Sequence, residues 1–350
     1  MFLFQNDYNS MCHPKVLEKF NEVSTRKMVG YGTDEICANA AGLIRKLCQR
    51  EDAAVHFLSG GTQTNLTVLA AALRPHQAAI APVGGHIDEH ETGAIEATGH
   101  KVITLPTQDG KLTPAQVEEV VLHHYSEEGP GGEHMPQPKL VYISVPTELG
   151  TMYTLSELEA LNAVCKKYKL YLYADGARLG YGLTAPGNDV TMADMARLTD
   201  AFYIGGTKLG TMFGEAVVII NPAIAEDFRY LIKQRGGMLA KGWLMGLQFE
   251  AMFEDGLYFE AASEANKKAS LIRETLKQLG YPMPVDSPTN QVFAVLPDSL
   301  LSELSSDFMF TEWGRVNAKS RMVRFCTSWS TRPEEVLALC DKLKELSGNN

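Results

Sequence analysis

One lysine of the chain lies among residues that would favour covalent chemistry at its amine. Lys208 follows the apolar run 201–204, and its neighbours at 205–210 are Gly, Thr and Leu. An isolated lysine is most often a solvated surface charge. A lysine that is partly desolvated near other cations has a lowered pKa instead, and its amine becomes an available nucleophile. Lys208 is therefore a candidate for covalent catalysis.

Two further candidates follow predicted strands. Asp175 ends the apolar run 170–174, where an unpaired carboxylate would be costly, so it needs a cationic or hydrogen-bonding partner. A structural role, in which Asp175 caps the next turn or pairs with Arg178, is the alternative. The run 59–65 (SGGTQTN) opens a helix after a strand, where backbone N–H groups can bind a phosphate, although such turns also occur without a ligand.

His86 lies in the run 84–91 (GGHIDEHE), four residues before His90. This spacing with nearby acids could suggest a metal site, but no third ligand is evident and the glutamate is misplaced for an HExxH motif. We therefore predict no metal. An imidazole stacked on a ligand ring is the better functional interpretation of His86.

Together these features indicate a pyridoxal 5′-phosphate (PLP) site. In such a site a lysine holds the cofactor as a Schiff base, an aspartate keeps the pyridine nitrogen protonated, and a helix N-terminus binds the phosphate. Lys208, Asp175 and the run 59–65 supply one member of each kind. The combination is far more specific than any of its members.

Alternating strands and helices must position these residues. Segments with helical spacing, such as 63–73, 114–124 and 155–167, separate most of the strand-length apolar runs. Those runs are 54–58, 78–81, 102–105, 140–145, 170–174, 201–204 and 216–220. The alternation predicts an α/β fold with a mostly parallel, seven-stranded sheet and helices on both faces. Ligands bind such sheets beyond the carboxyl ends of the strands, where the candidates lie.

After Pro222 the pattern changes to that of a smaller α+β unit. The predicted elements of this tail are helices over 223–235 and 243–279, strands near 291–296 and 322–326, and a helix over 333–346. The segment 127–138, rich in Gly, Pro and acid, is predicted to be a loop insertion, and His123 and His124 before it to face solvent. We divide the chain into an N-terminal arm over 1–20, associated with the small domain, a large PLP-binding domain over 21–240 and a small domain over 241–350.

Composition excludes several functional classes. The 350 residues are 45% hydrophobic and 21% charged, as in an average globular protein, and carry a formal charge of −10 without a basic cluster. We therefore predict no nucleic-acid partner, and no membrane partner because no apolar run reaches the roughly 20 residues that span a bilayer. Six scattered cysteines without zinc spacing, and an N-terminus without the features of a signal peptide, predict reduced thiols and a cytoplasmic protein.

The chain resembles the low-specificity L-threonine aldolases and related β-eliminating lyases, PLP enzymes of the aspartate aminotransferase fold, over nearly its whole length. The segments that carry the resemblance are YGTD at 31–34, FLSGGTQTNL at 57–66, ADGARL at 174–179, TKLG at 207–210 and RMVRF at 321–325. By this resemblance Lys208 would form the Schiff base, Asp175 would contact the pyridine nitrogen and His86 would stack on the ring. The other cofactor-binding residues that it implies are Gly61, Thr62, Arg178 and Thr207.

The resemblance also implies how substrate is bound and how the chain assembles. Arg178 and Arg324 would bind the substrate carboxylate, and a fork-shaped guanidinium that fixes this group also chooses which bond breaks. Asn6, which replaces a serine of many relatives, is a further candidate for substrate binding. Relatives build each active site between two subunits, so we predict a homodimer or homotetramer in which Tyr31 and the run 235–237 reach across the interface.

One departure from the family concerns the acid–base group. Relatives usually carry a histidine after the strand that corresponds to 140–145, and this chain has Glu148 in that loop. We expect Glu148 to take that histidine's place as acceptor or base for the proton of the substrate hydroxyl. The alternative is that Glu148 caps the loop or supports His86.

The predicted function is retro-aldol cleavage of a β-hydroxy-α-amino acid, such as threonine or allo-threonine, to glycine and an aldehyde. The alternative within the same fold is β-elimination or transamination of another amino acid. A non-catalytic binding module is disfavoured by the intact Lys208 and Asp175. A nucleotide-binding domain is disfavoured because no GxGxxG motif with a following acid is present.

Overall fold

The computed structural model describes residues 1–126 and 132–348, and its centre is a seven-stranded sheet. The strands of the described ranges are β1 (Phe2–Leu3), β2 (Ala54–Leu58), β3 (Gln77–Pro82), β4 (Lys101–Leu105), β5 (Gln137–Ser144), β6 (Tyr171–Asp175), β7 (Ala201–Gly205), β8 (Glu215–Ile219), β9 (Gln291–Pro297), β10 (Phe308–Met309), β11 (Thr311–Asn317) and β12 (Ser320–Cys326).

The central sheet has the strand order β2-β8-β7-β6-β5-β3-β4. The neighbouring strands from β7 through β4 are parallel, whereas β8 runs antiparallel to both β7 and β2. Every residue of β3, β7 and β8 is buried, as expected for a sheet that is covered on both faces. The predicted fold class is therefore confirmed.

Helices cover the sheet and form much of the C-terminal part. They are α1 (Pro14–Glu22), α2 (Glu35–Cys48), α3 (Gly61–Ala72), α4 (His86–Glu89), α5 (Pro114–His124), α6 (Leu155–Tyr168), α7 (Leu179–Leu183), α8 (Met192–Leu198), α9 (Pro222–Ala225), α10 (Phe228–Gln234), α11 (Trp243–Phe253), α12 (Leu257–Gln278), α13 (Asp298–Leu304) and α14 (Pro333–Gly348). Short 3₁₀ helices cover Glu96–Thr98 and Gly132–His134.

Side-chain caps explain where several helices begin. Thr113 and Thr154 each form a capping box, with Gln116 and Glu157 three residues later, at the starts of α5 and α6. Helix α3 differs, because its N-cap is Gly60 and no described side chain caps it. The first-turn N–H groups of α3 are therefore left for other acceptors.

The C-terminal part has its own sheet and its own core. Strands β11, β12 and β9 form an antiparallel sheet, and β1 pairs with β10 in parallel. Ile272, Val292, Phe325 and Leu339 belong to the core behind this sheet, and Phe4 joins them from the N-terminal segment. The predicted domain boundaries, between residues 20 and 21 and between residues 240 and 241, stay a prediction.

The two long helices predicted after Pro222 are each broken, so these predictions were wrong. Asp227 separates α9 from α10 with φ +55°, and Gly256 separates α11 from α12 with φ +74°. Both residues adopt the left-handed conformation, which interrupts a right-handed helix. Apolar spacing continues across both breaks, and this is why the sequence pattern did not show them.

His124 is buried, and the prediction that it faces solvent was wrong. It lies three residues after Val121 on the inner face of α5, whereas His123 is exposed. Of the predicted insertion over 127–138, residues 127–131 lie outside the described residues. No helix within 1–126 and 132–348 has the length and apolar character needed to cross a bilayer.

Candidate active site

The predicted site residues follow strands at one edge of the central sheet. Asp175 ends β6, and Lys208 comes three residues after β7. Glu148 follows β5, and His86 begins α4 after β3. Strands that run in one direction end at a common edge, so four separate segments of chain bring their polar groups to one place.

Asp175 is buried and accepts four hydrogen bonds from described residues. Oδ1 accepts from the Tyr203 hydroxyl at 2.5 Å and from the Ala177 N–H at 3.0 Å. Oδ2 accepts from the Tyr142 hydroxyl at 2.7 Å and from Asn65 Nδ2 at 3.0 Å. Burial raises the pKa of Asp175, but attraction to His86 and these donors outweigh it, so the net shift is downward. Asp175 is therefore held as a buried anion.

The Asn65 amide connects Asp175 to His86 through a buried glutamate. Asn65 Nδ2 also donates to Glu91 Oε1 at 2.7 Å, and the Tyr173 hydroxyl donates to Asn65 Oδ1 at 2.8 Å. The same Glu91 oxygen lies 2.7 Å from His86 Nδ1. Burial lowers the pKa of His86, but Glu91 and Asp175 outweigh it, so the pKa of His86 is raised. The imidazole is thus fixed in orientation beside Asp175.

Lys208 is half-buried, and no residue within the described ranges accepts a hydrogen bond from its Nζ. The Tyr181 hydroxyl fixes the lysine backbone by donating to its carbonyl at 2.6 Å. Burial and the nearby Arg178 lower the pKa of the Lys208 amine, while Asp7 and Asp175 act in the opposite direction. An amine in this setting has the properties of a nucleophile.

Arg178 pairs with Asp7 and not with Asp175. Its Nε donates to Asp7 Oδ2 at 2.7 Å and its Nη2 to Asp7 Oδ1 at 3.0 Å, and Asn290 Nδ2 donates to the same Oδ2 at 2.9 Å. The alternative in which Asp175 pairs with Arg178 was therefore wrong. The other alternative, in which Asp175 caps the next turn, is confirmed, because Asp175 Oδ1 accepts from the Ala177 N–H. A guanidinium has five N–H donors, so the three that remain are available for a second carboxylate.

Arg324 approaches the same region from β12. Its Nη1 donates to Gln291 Oε1 at 3.1 Å, and its Nη2 donates to the Gln5 carbonyl at 3.1 Å. The guanidinium lies 4.9 Å from the centre of the Trp313 ring. Arg324 Nε is buried and has no hydrogen-bond partner in the described ranges.

Glu148 is half-buried at the edge of a cavity of about 410 Å³ that Trp313 and His90 also line. Its Oε1 accepts from the Ser144 hydroxyl at 2.6 Å and from the backbone N–H of His86 at 2.9 Å. Burial raises the pKa of the Glu148 carboxyl, the nearby Asp175 adds to the rise, and the Ser144 hydrogen bond opposes it. Glu148 therefore takes up a proton more readily than an exposed glutamate does.

Gly61, at the first position of α3, is needed for close packing. A Cβ atom at Gly61 would lie 3.0 Å from the Tyr203 hydroxyl, which donates to Asp175. Gly61 and Thr62 thus lie in the uncapped first turn of α3, next to the Asp175 network. The Thr207 hydroxyl, by contrast, is engaged within the chain, since it donates to Glu215 Oε1 at 3.1 Å.

Two predicted residues make no described contact with this cluster. Tyr31 has φ +64°, is half-exposed, and its ring lies 5.1 Å from Lys233 Nζ, at a second cavity of about 230 Å³. Asn6 precedes Asp7, and its Oδ1 accepts from the Tyr8 N–H at 3.0 Å. Their predicted roles stay predictions.

Comparison with known proteins agrees with this architecture. Residues 17–299 match the family model for beta-eliminating lyases. The chain is 30% identical to the low specificity L-threonine aldolase of Pseudomonas sp. (strain NCIMB 10558), over 97% of this chain and 96% of that relative. It is 48% identical to a Leishmania major threonine aldolase of solved structure, with a TM-score of 0.96 over 99% of this chain and 100% of that one. A Thermus thermophilus aspartate aminotransferase shares 15% identity and a TM-score of 0.71, over 99% and 91% of the two chains.

The likeness to the aminotransferase shows the fold class, that of aspartate aminotransferase. Within that class, the chain belongs to the beta-eliminating lyase family. The family and the lyase class predicted from the sequence are confirmed, and so is PLP as the cofactor.

The residues present fit PLP on structural grounds. Asp175 is an ionised carboxylate in a buried setting, which suits a protonated ring nitrogen. The Lys208 amine has no acceptor in the described ranges, and the first turn of α3 lacks a side-chain cap. Asp175 would therefore hold the ring nitrogen, Lys208 the aldehyde carbon and the α3 N-terminus the phosphate.

Proposed function

We propose that the protein is a PLP-dependent aldehyde lyase that cleaves β-hydroxy-α-amino acids of the threonine type to glycine and an aldehyde. The observation that carries this proposal is the placement of the buried Asp175 anion, the Lys208 amine and the Glu148 carboxyl at one edge of the sheet. The relatives named threonine aldolase match over nearly the whole chain and support the substrate class.

PLP, when bound, supplies an electron sink for the bonds of the substrate α-carbon. Four hydrogen bonds from described donors stabilise the negative charge of the Asp175 carboxylate. This charge would keep the ring nitrogen of PLP protonated, which strengthens the electron sink. His86 is oriented by Glu91 and is attracted to Asp175, and its ring would contact the cofactor.

Arg178 and Arg324 fix the orientation of the substrate in the site by binding its carboxylate. Arg178 has three N–H groups left after its pair with Asp7, and Arg324 is held from β12 by Gln291. Two guanidinium groups that bind one carboxylate leave the α-carbon little rotational freedom. This restriction would select which bond of the α-carbon breaks, and the proposed reaction requires that bond to be Cα–Cβ.

Glu148 is the group that takes the proton of the β-hydroxyl. Carbon–carbon cleavage requires this proton to leave as the aldehyde forms, and the accepting group must be ionised beforehand. Ser144 and the His86 N–H fix Glu148 Oε1. The other oxygen, Oε2, accepts from no other described residue and is available for the substrate.

Changing Glu148 to Gln should lower kcat for threonine cleavage by about 10²- to 10⁴-fold, the range of general acid–base catalysis. The amide keeps the shape and can still accept from Ser144, but it cannot take up a proton. The absorbance spectrum of bound PLP should stay unchanged. Steady-state assays of glycine formation measure the effect.

The matched control is Glu226→Gln, the same change at an exposed position after α9, which should retain full activity. The pH profile provides a second test. Because the pKa of Glu148 is raised and only its ionised form accepts a proton, wild-type activity should fall as the pH decreases through that raised value. Glu148→Gln should lack this acid limb. Parental activity in Glu148→Gln would make Glu148 a structural residue.

The reaction type is tested by product analysis on the purified protein with PLP and a panel of β-hydroxy amino acids. Equal amounts of glycine and aldehyde support the proposal. Ammonia and a keto acid in place of glycine would instead establish β-elimination, the alternative within the same fold.

We infer further that the protein is a cytoplasmic homo-oligomer with active sites at subunit interfaces. The six cysteines are all unpaired and buried, which suits a reducing compartment. Tyr31 is half-exposed and makes no described contact with the Lys208 cluster, which suits a residue that serves a neighbouring subunit.

Sedimentation of the active protein should therefore give a dimer or tetramer. Tyr31→Ala should lower activity even though Tyr31 lies outside the Lys208 cluster of its own chain. Tyr230→Ala, at another exposed tyrosine, is the control. A fully active monomer would refute the assembly.

A further inference from the structure

One buried amide connects the two groups that would contact the PLP ring. Asn65 is the fifth residue of α3, and its side chain is fully buried. Its Nδ2 donates to Asp175 Oδ2 at 3.0 Å and to Glu91 Oε1 at 2.7 Å. The Tyr173 hydroxyl donates to its Oδ1 at 2.8 Å. Both N–H groups of the amide are therefore used, one for each carboxylate.

The two carboxylates differ in how far they depend on Asn65. Asp175 has three further described donors, which are two tyrosine hydroxyls and one backbone N–H. Glu91 Oε1 has one other described partner, His86 Nδ1 at 2.7 Å. The second oxygen of Glu91, Oε2, is buried and has no partner in the described ranges. Asn65 is thus anchored at Asp175, and Glu91 is held from Asn65.

His86 depends in turn on Glu91. The hydrogen bond to Glu91 Oε1 is the only one that the imidazole makes with a described residue. A partner on one ring nitrogen determines which nitrogen of a histidine carries the proton, and it also fixes the direction of the ring. The contacts therefore run in series, from Asp175 through Asn65 and Glu91 to His86.

We propose that Asn65 is a positioning residue for His86, which acts through Glu91 and sets the imidazole relative to Asp175. This proposal rests on the proposed function, since Asp175 and His86 would contact the ring nitrogen and the ring of the same PLP. Two contacts with one rigid ring need a fixed separation. The Asn65 amide supplies it, because each of its two N–H groups is directed at one carboxylate.

Asn65→Ala should weaken PLP binding by about three- to tenfold, the range that one aromatic contact is worth. Titration of the apoprotein with PLP measures this dissociation constant without turnover. The circular dichroism of bound PLP, which depends on how the ring is held, should also change. Wild-type affinity and dichroism in a folded Asn65→Ala variant would overturn the proposal.

The matched control is Asn162→Ala on α6. The Asn162 amide donates to the carbonyl of Leu198, three residues before the start of β7, so it lies at the opposite edge of the sheet from Lys208. This change also removes one amide hydrogen bond, and it should leave PLP affinity and dichroism at their wild-type values. Matching losses in Asn162→Ala and Asn65→Ala would show a general effect of stability and would overturn the proposal.

A double-mutant cycle tests the connection through Glu91. Glu91→Ala removes the carboxylate that would connect Asn65 to His86. If the contacts act in series, the double variant should bind PLP within about twofold of Glu91→Ala alone. A further loss as large as that of Asn65→Ala in the wild-type background would contradict this connection.

Asn65→Ser keeps the test decisive if Asn65→Ala does not fold. A serine hydroxyl has one hydrogen to donate, so it can serve at most one of the two carboxylates. PLP binding should again be weaker than in the wild type, and the difference should shrink in the Glu91→Ala background. Equal affinity of Asn65→Ser and wild-type protein would overturn the proposal.

Failure of this inference can be distinguished from failure of the proposed function. If wild-type protein binds PLP and releases glycine while the Asn65 variants bind PLP as the wild type does, only the role of Asn65 is wrong. If wild-type protein binds no PLP or releases no glycine, the proposed function itself is wrong.

Discussion

Lys208→Ala should lower kcat for threonine cleavage by at least about 10³-fold, the largest effect expected of any single change in the chain. The alanine has no amine to link to PLP or to exchange it for the substrate. Some PLP should still bind noncovalently, because Asp175 and the first turn of α3 stay in place. Glycine formation under steady-state conditions, with the absorbance spectrum recorded in parallel, measures both effects.

The control for this change is Lys101→Ala, at an exposed lysine in the first position of β4, which should keep wild-type activity. Circular dichroism should show that both variants are folded. If Lys208→Ala were to retain more than about a tenth of the parental kcat, covalent catalysis by Lys208 would be refuted.

Asp175→Asn should give the second largest loss, about 10²-fold or more in kcat, by analogy with the removal of a single preorganised electrostatic contact in other enzymes. A neutral amide cannot hold a proton on the ring nitrogen of PLP. The change should also lower the free energy of unfolding. The NH2 group of the asparagine would face hydroxyl or N–H groups that now donate to Asp175, so those donors would lose their acceptor. We expect about 1–3 kcal/mol of destabilisation.

Thermal unfolding and the kcat of PLP-saturated protein separate these two effects. Asp255→Asn, at an exposed position, is the matched control and should leave both quantities unchanged. Wild-type turnover in a folded Asp175→Asn variant would show that the ring nitrogen does not depend on this carboxylate.

The strand-end position of Asp175 and Lys208 made both residues predictable from the sequence. Each residue alone has a structural alternative, but a parallel sheet brings the ends of its strands together, so an acid and a lysine that follow two such strands are expected at one site. The general class of the fold, a mostly parallel seven-stranded sheet with helices on both faces, followed from the alternation of apolar runs and helical segments, but the order of the strands within the sheet did not.

The partners of these residues were not predictable, for a physical reason. Tyr142 and Tyr203 lie within apolar runs, where a tyrosine ring is an ordinary core residue, and only the folded chain shows that their hydroxyls donate to Asp175. Asp7 lies 171 residues before Arg178, and no local pattern connects them. Glu215 precedes an apolar run in the same way that a surface residue would.

The breaks at Asp227 and Gly256 were missed because hydrophobic spacing reports which face of a segment is buried and not whether its backbone continues as a helix. Glycine at 256 could have given a signal, since its left-handed conformation is a common helix terminator. Asp227 gives a weaker signal, because aspartate adopts the left-handed conformation less often than glycine does.

Borohydride reduction followed by peptide mapping tests most directly whether Lys208 carries the cofactor. Borohydride reduces a carbon–nitrogen double bond between a lysine and PLP and makes the link permanent. The pyridoxyl label should appear on the peptide that contains Lys208 and should be absent from reduced Lys208→Ala protein. A label on another lysine, or no label on a protein that cleaves threonine, would contradict the assignment.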